Sequence, residues 1–176
     1  MRLFFALWPD VDARARTAQA AAALSLSYGA RFVPRENYHL TLAFVGEVEE
    51  SRLELLRQIG REQRACACAV SFDAYEYWPD PKVVVAVASQ MPPALLDLWT
   101  TLHRDLDRHQ PALHCQRAPL RGHVTLARKV AQAPVLHAMS PFAWSARAFG
   151  LIRSDTSGAR SVYTVVDTWQ LLDETR

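Results

Sequence analysis

Two pentapeptides of this sequence match at four of their five positions: His39-Leu40-Thr41-Leu42-Ala43 and His123-Val124-Thr125-Leu126-Ala127. Both lie in segments rich in β-branched, aromatic and aliphatic residues, so each is predicted to open a β-strand. One such strand in each half of the chain indicates a pseudo-symmetric fold of two lobes around a central cleft.

Each pentapeptide contains the triplet His-x-Thr. Chance would give about 0.3 such triplets in a chain with this composition, whereas the sequence has two. Residues i and i+2 of a strand project from the same face, so each triplet presents an imidazole beside a hydroxyl. The leucine or valine between them points to the opposite face and can join the core.

Two such strands in apposition would place two imidazoles and two hydroxyls around one small anionic group. One neutral histidine can take a proton from an attacking water while the other, as imidazolium, donates to the leaving oxygen. Thr41 and Thr125 would hold the non-bridging oxygens of a phosphate. The pattern predicts a phosphodiesterase that needs neither metal nor cofactor, and it leaves open which of His39 and His123 is the acid.

Length and composition favour a globular protein. The chain has 176 residues, 50% of them hydrophobic, and contains no apolar run of about 20 residues, so we expect one two-lobed domain over 1–176 and no membrane span. Three cysteines do not suggest a disulfide framework and suit a reducing, cytoplasmic location. The net charge of +2 does not by itself indicate a nucleic-acid binder and favours recognition of a chain end over binding of a long RNA, and we expect a monomer.

The predicted elements mix strands and helices without regular alternation, which favours an α+β class with mostly antiparallel sheets and helices packed outside. Strands are predicted at 2–7, 31–46, 67–77, 82–88, 123–130, 143–153 and 160–170. The segment 31–46 should contain a short strand and then a longer one from Tyr38. Helices are predicted at 11–27, at 50–64 and after Met91-Pro92-Pro93, and a loop at 110–122. Four tryptophans are expected in the core: Trp78, Trp99, Trp144 and Trp169.

The sequence resembles the bacterial RNA 2′,3′-cyclic phosphodiesterases, also called 2′-5′ RNA ligases, of the two-histidine phosphoesterase superfamily. The resemblance covers nearly the whole chain. It is carried by Arg2-Leu3-Phe4-Phe5-Ala6-Leu7, by Val33 to Val48 around the first motif, by His123 to Arg128, and by Ser154 with Arg160-Ser161-Val162-Tyr163.

The resemblance implies that the protein opens a 2′,3′-cyclic phosphate at an RNA 3′ end, fragments of tRNA among the candidates, and leaves a 2′-phosphate. His39 would be the general acid and His123 the general base, and 2′-5′ ligation of RNA would be the reverse reaction. Arg128 would contact the substrate, and Phe44 would stack on the terminal base. Strict alternation puts Phe44 on the face opposite His39, so its role requires the strand to end or bulge after Ala43.

Other readings stay open from the sequence. The same histidine chemistry would serve a phosphodiesterase of small cyclic nucleotides such as ADP-ribose 1″,2″-cyclic phosphate, or of 2′-5′ oligoadenylate. A module that binds RNA ends without turnover is an alternative of another class, although a pure binder needs neither acid nor base. Arg35 and Arg121, just upstream of the motifs, are equally compatible with a positive funnel for RNA and with solvated loop residues.

Overall fold

The computed structural model describes residues 1–109, 119–158 and 161–173. Within them the chain forms these strands: β1 Arg2–Leu7, β2 Arg31–Phe32, β3 Leu40–Glu47, β4 Cys68–Phe72, β5 Ala74–Trp78, β6 Val83–Val87, β7 His123–Arg128, β8 Phe142–Ala146, β9 Ala148–Asp155 and β10 Val162–Gln170. The α-helices are α1 Val11–Ala22, α2 Leu53–Glu62 and α3 Pro93–His109. One-turn 3₁₀ helices lie at Arg35–Asn37 and Glu50–Arg52.

The strands form two four-stranded sheets and a two-stranded one. The first sheet has the order β10-β9-β1-β3, the second β2-β7-β6-β5, and β4 pairs with β8. All pairings between these strands are antiparallel. Each large sheet contains one of the two motif strands, β3 or β7, next to an apolar strand, β1 or β6. The predicted α+β class with antiparallel sheets and two lobes is confirmed.

Each large sheet contains one apolar strand that is buried on both faces. In β1 every residue after Arg2 is buried, and in β6 all five residues are. Leu3, Phe5 and Leu7 face the main core, while Phe4 and Ala6 form a smaller cluster on the other side. Continuous apolar runs of this kind are what strands covered on both faces require.

Helix α1 begins at a capped residue and packs across to the second lobe. The Asp10 carboxylate accepts a hydrogen bond from the Ala13 amide at 2.7 Å, which satisfies one of the unpaired donors of the first turn. Thr17 is buried, and its hydroxyl accepts a hydrogen bond from the Trp144 indole at 3.0 Å. The helix ends at Ala22, five residues before the predicted end, where the chain turns towards β2.

Two predicted strands are each two strands in the structure. Asp73 separates β4 from β5 because its carboxylate accepts hydrogen bonds from the Ser89 amide and hydroxyl. The chain there passes from the two-stranded sheet to the second large sheet, so the single strand predicted at 67–77 is wrong. The strand predicted at 143–153 likewise divides at Arg147, whose carbonyl accepts a hydrogen bond from Leu171.

Other expectations about the whole chain are met in part. β9 and β10 pair as the predicted C-terminal hairpin. Within the described residues no helix is long and apolar enough to cross a membrane. Cys66 and Cys68 do not form a disulfide, and Cys115 lies outside the described residues, as do most of the loop predicted at 110–122 and Arg160.

Gly60 in α2 has no room for a side chain. A Cβ at this position would lie 2.4 to 2.5 Å from carbons of the Trp169 indole, which packs against the core from β10. We therefore predict that Gly60→Ala destabilises the protein by roughly 1–3 kcal/mol through overpacking, despite the gain in helix propensity. Glu62→Ala on the exposed face of the same helix is the control, expected within about 0.5 kcal/mol of wild type. Equal stability of both variants in urea unfolding would contradict the packing.

Candidate active site

The two motif histidines lie at corresponding ends of β3 and β7. His39 directly precedes β3, although the sequence pattern predicts it inside that strand. His123 is the first residue of β7. Their neighbours approach closely, since a Cβ on Gly122 would lie 3.4 Å from Leu40 Cδ1. The charge on His123 also influences the pKa of His39. The fold therefore brings the two motifs of the sequence to one site between the sheets.

Each histidine makes an equivalent hydrogen bond to the backbone carbonyl two residues before it. Nδ1 of His39 lies 2.7 Å from the Asn37 carbonyl oxygen, and Nδ1 of His123 lies 2.8 Å from that of Arg121. A carbonyl oxygen only accepts, so each Nδ1 carries a proton and donates it. In the neutral ring Nε2 is then the unprotonated nitrogen. Neither Nε2 has a protein partner within the described residues, so both can exchange protons with a bound molecule.

Thr41 and Thr125 follow their histidines on the same side of each strand. Both are partly buried, whereas the residues before and after them, Leu40 and Leu42 or Val124 and Leu126, are buried in the core. Neither hydroxyl has a protein partner in the part of the chain that the structure describes. The two hydroxyls therefore remain available to the oxygens of a bound group.

A β-bulge follows the threonine in each motif strand. Thr41 and Ala43 pair with adjacent residues of β1, which leaves Leu42 as the extra residue. Thr125 and Ala127 pair with adjacent residues of β6, which leaves Leu126 as the extra one. An inserted residue of this kind reverses the alternation beyond it. The bulge that the role of Phe44 requires is thus present in the structure, one residue earlier than anticipated.

The bulges place Phe44 and Arg128 at equivalent positions, five residues after their histidines. Phe44 is 57% exposed and its ring centroid lies 6.1 Å from that of Phe4, which in turn lies 5.0 Å from the His39 ring. Arg128 is exposed, and its positive charge acts on the pKa of both histidines. Both residues therefore lie on the side of the strands that carries the histidines.

Three aromatic rings enclose His39. Trp8 stacks on the imidazole with an interplanar angle of 11° and a centroid distance of 5.8 Å, and Phe4 covers it at 5.0 Å. Tyr163 of β10 meets the ring edge-on at 5.2 Å. These rings fix the orientation of the imidazole and remove water from most of its surface.

His123 has a different and more polar environment. Its ring lies 4.5 Å from the Trp78 ring, and the Trp78 indole donates a hydrogen bond of 2.8 Å to Glu76. Arg121 pairs with Glu76 and lies 5.6 Å above Trp78. Trp78, predicted in the core, is partly buried: it packs against the valines of β6 and also contacts the His123 ring, because β5 is an edge strand of the second sheet. Trp144 is buried in the core, whereas Trp99 and Trp169 are partly buried.

Burial lowers the pKa of both histidines. It lowers the pKa of His39 to about 4, opposed by the bond to Asn37 and reinforced by the charges of Arg128 and His123. Burial also lowers the pKa of His123, with Arg121 and Arg128 acting in the same direction and Glu76 against them. Both rings are therefore mainly neutral at pH 7 in the unliganded protein, and a bound anion would favour their protonation.

The remaining described histidines and acidic residues do not form a second site of this kind. His103 Nε2 lies 3.0 Å from the Leu42 carbonyl oxygen and so supports β3 from helix α3. Among the residues that the structure describes, no group of three His, Cys, Asp or Glu side chains could hold a metal ion. His114 lies outside that part of the chain.

Sequence reasoning missed Trp8, Glu76 and Tyr163. Trp8 directly follows β1, and its position beside His39 depends on the β1–β3 register rather than on any local pattern. Tyr163 comes from the last strand and reaches the site only through the pairing of β10 with β9. Glu76 had one local signal, the spacing of two residues to Trp78, which puts both on one face of a strand.

Comparison with known proteins gives consistent results. The family model described as LigT like Phosphoesterase matches residues 7–85. The RNA 2′,3′-cyclic phosphodiesterase of Thermus thermophilus is 29% identical, over 99% of this chain and 92% of the relative. The Escherichia coli protein of the same name is 28% identical, over 97% and 96%. The crystal structure of E. coli LigT complexed with 3′-AMP superposes with a TM-score of 0.83, at 26% identity and 98% coverage of both chains.

The fold, with one motif strand from each of two antiparallel sheets, and these matches define the class of the protein as a phosphoesterase. More specifically, the chain is similar to the LigT-like phosphoesterases in sequence and in fold.

The surroundings of the two histidines predict distinct responses to charge changes. Arg128→Ala should raise the pKa of both rings, because it removes a positive charge that disfavours each imidazolium. Glu76→Gln should lower the pKa of His123 further and change that of His39 much less, because the carboxylate acts directly on His123 and reaches His39 only through the charge of His123. NMR titration of the Cε1 protons measures both values. A shift of His39 as large as that of His123 in Glu76→Gln, or no shift of either ring in Arg128→Ala, would contradict the geometry.

Proposed function

We propose that this protein hydrolyses the 2′,3′-cyclic phosphate at RNA 3′ ends to a 2′-phosphate. The observation that carries the proposal is the pair of imidazoles, one from each sheet, with Nδ1 fixed on a backbone carbonyl and Nε2 without a protein partner among the described residues. The names of the two relatives and the bound 3′-AMP in the E. coli structure support an RNA end as the substrate.

In the proposed reaction His123 is the general base and His39 the general acid. Nε2 of His123 takes a proton from water as the water oxygen bonds to phosphorus, and Nε2 of His39 gives its proton to the 3′ oxygen as the bond from phosphorus to that oxygen breaks. The product is a 2′-phosphate beside a free 3′ hydroxyl. The carboxylate of Glu76 supports this assignment, because it stabilises the imidazolium that His123 becomes.

His39 needs a proton before it can act as the acid. Its low pKa in the unliganded site means that the anionic phosphodiester must favour the imidazolium as it binds. A weakly held proton is also easily transferred to the departing oxygen. Threonines 41 and 125 hold the non-bridging oxygens and Arg128 balances their charge, while Phe44 stacks on the terminal base.

We further infer that the protein acts as a monomer in the cytoplasm, on fragments that include those of tRNA, and that it also catalyses 2′-5′ ligation of RNA ends. The sparse cysteines support a reducing compartment. The same chemistry supports ligation, since His123 would take the proton from a hydroxyl of a second RNA end instead of water, and His39 would again protonate the departing 3′ oxygen.

The product of the reaction tests the function directly. Incubated in EDTA with a short RNA ending in a 2′,3′-cyclic phosphate, the protein should release a 2′-phosphate end, identified by chromatography against synthetic 2′- and 3′-phosphate standards. A 3′-phosphate would reverse the leaving oxygen, and loss of activity in EDTA would reveal a metal. Turnover of ADP-ribose 1″,2″-cyclic phosphate alone would favour the small-nucleotide alternative, and tight binding without any turnover would favour the inactive module.

Substitution of the motif residues tests the roles. His39→Asn and His123→Asn should each lower kcat about 10²- to 10⁴-fold through loss of the acid or the base. His137→Asn, an exposed histidine outside the motifs, is the control and should retain wild-type turnover. In the same assay Thr41→Val and Thr125→Val should lose activity, whereas the corresponding serine variants keep the hydroxyl and most of the rate. Near-normal turnover of either Asn variant would disprove the mechanism.

The lowered histidine pKa values predict the pH dependence. The kcat/KM profile reports the unliganded enzyme and reaches its maximum midway between the pKa values of acid and base. Since both lie below 6.5, the maximum should also lie below pH 6.5. Bound phosphate favours the imidazolium, so the kcat profile should extend to higher pH than kcat/KM. An optimum of kcat/KM above pH 7 would show that the rings are not buried as described.

A further inference from the structure

A groove of about 1120 Å³ opens beside the histidine site. It lies between the second half of α1, the edge strand β2, the segment 33–38 and the end of β7. Two residues connect it to the histidines: Tyr163 lines it and meets the His39 ring at 5.2 Å, and Arg128 lines it and acts on both histidines. A molecule bound at the histidines can therefore continue into the groove.

The groove is strongly basic. Four cations line it, Arg31, Arg35, Arg128 and Lys129, and none of the described lining residues is acidic. Within the described part of the chain none of these four side chains has a carboxylate partner. Arginines that carry no internal partner are suited to charge-assisted bonds with phosphate oxygens.

The strand register brings two of these charges together. Arg31 and Arg128 are direct partners in the β2–β7 ladder, so their side chains leave neighbouring positions of one face. Like charges directly opposite each other in a sheet are destabilising. An anion bound between them would remove this repulsion, which indicates a binding surface rather than a purely structural pairing.

The groove also offers an aromatic surface and sufficient length. Phe32, the other residue of β2, lines it and is 50% exposed. Cations that follow a backbone together with an exposed aromatic ring are the usual surface for single-stranded nucleic acid. The volume exceeds the range of about 300–1,000 Å³ for pockets that enclose one small ligand, so more than one nucleotide fits.

We propose that this groove binds the nucleotides that precede the cyclic phosphate end of the RNA. Arg31, Arg35 and Lys129 contact their backbone phosphates, and Phe32 stacks on a base. The proposal rests on the function proposed above and extends it, because it makes the protein an enzyme that prefers an oligonucleotide to a nucleoside 2′,3′-cyclic monophosphate. Arg128 contributes to both the groove and the reaction.

The test compares a pentanucleotide ending in a 2′,3′-cyclic phosphate with cytidine 2′,3′-cyclic monophosphate, in wild type and in Arg31→Gln, Lys129→Gln and Arg31→Gln/Lys129→Gln. Each lost phosphate contact should lower kcat/KM for the pentanucleotide about tenfold, and change that for the mononucleotide less than about twofold. The slope of log kcat/KM against log salt concentration should fall by about 0.7 per contact, for the pentanucleotide only. Phe32→Leu should weaken the pentanucleotide without changing the slope.

Arg52→Gln is the matched control. It removes one positive charge from the segment that follows β3. The far end of that strand lies more than 20 Å from His39, at about 3.3 Å per residue. The substitution should leave kcat/KM for both substrates unchanged. Melting temperatures of the two variants that lack Arg31 should equal or exceed wild type, since the Arg31–Arg128 repulsion is removed. Equal losses for both substrates, or none for the pentanucleotide, would overturn the proposal.

A separate measurement keeps this inference distinct from the reaction. If wild type hydrolyses neither substrate, the proposed function fails, and anisotropy of a fluorescent pentanucleotide ending in a 2′-phosphate still reports on the groove. The double variant should then bind at least tenfold more weakly than wild type and Arg52→Gln. Equal affinity of all three would overturn the groove itself.

Discussion

The inserted residue in each motif strand controls which side chains meet at the site. Without the bulges at Leu42 and Leu126, alternation would send Phe44 and Arg128 to the side away from the histidines. The bulge also turns two successive apolar residues of each strand towards the interior. It therefore increases the buried apolar surface of the strand and places the next residue on the side of the cleft. The same bulge in both sheets places a histidine, a threonine hydroxyl and the residue five positions after the histidine on one face of each motif strand.

The second constraint is the backbone carbonyl two residues before each histidine. It fixes the proton on Nδ1 and leaves Nε2 as the reactive nitrogen. Because the acceptor belongs to the turn that enters the strand, tautomer and fold are set together. Met91 packs closely against the turn before His123, since a Cβ on Gly122 would lie 2.5 Å from Met91 Cε.

The sequence predicted the parts of this arrangement that depend on local pattern. The repeated triplet identified His39, Thr41, His123 and Thr125, and apolar runs located β1 and β6. The neighbours that other strands bring to the histidines could not be predicted from the sequence. Their positions depend on the pairing of β10 with β9 and of β5 with β6, which local sequence patterns do not specify. Tyr163 and Trp78 were therefore not assigned to the site, and the break at Asp73 was missed because apolar alternation continues through it.

The two lobes share a motif but not an environment, and the difference bears on which histidine gives the proton. His39 is enclosed by Phe4, Trp8 and Tyr163, which offer it no negative charge, so its imidazolium depends on the bound anion. His123 has Glu76 nearby, which stabilises a proton taken up during the reaction. A ring that is protonated only with substrate present suits an acid, and a ring with a standing carboxylate suits a base. The repeated motif thus provides two histidines, and their unequal neighbours support the proposed roles of His39 as acid and His123 as base.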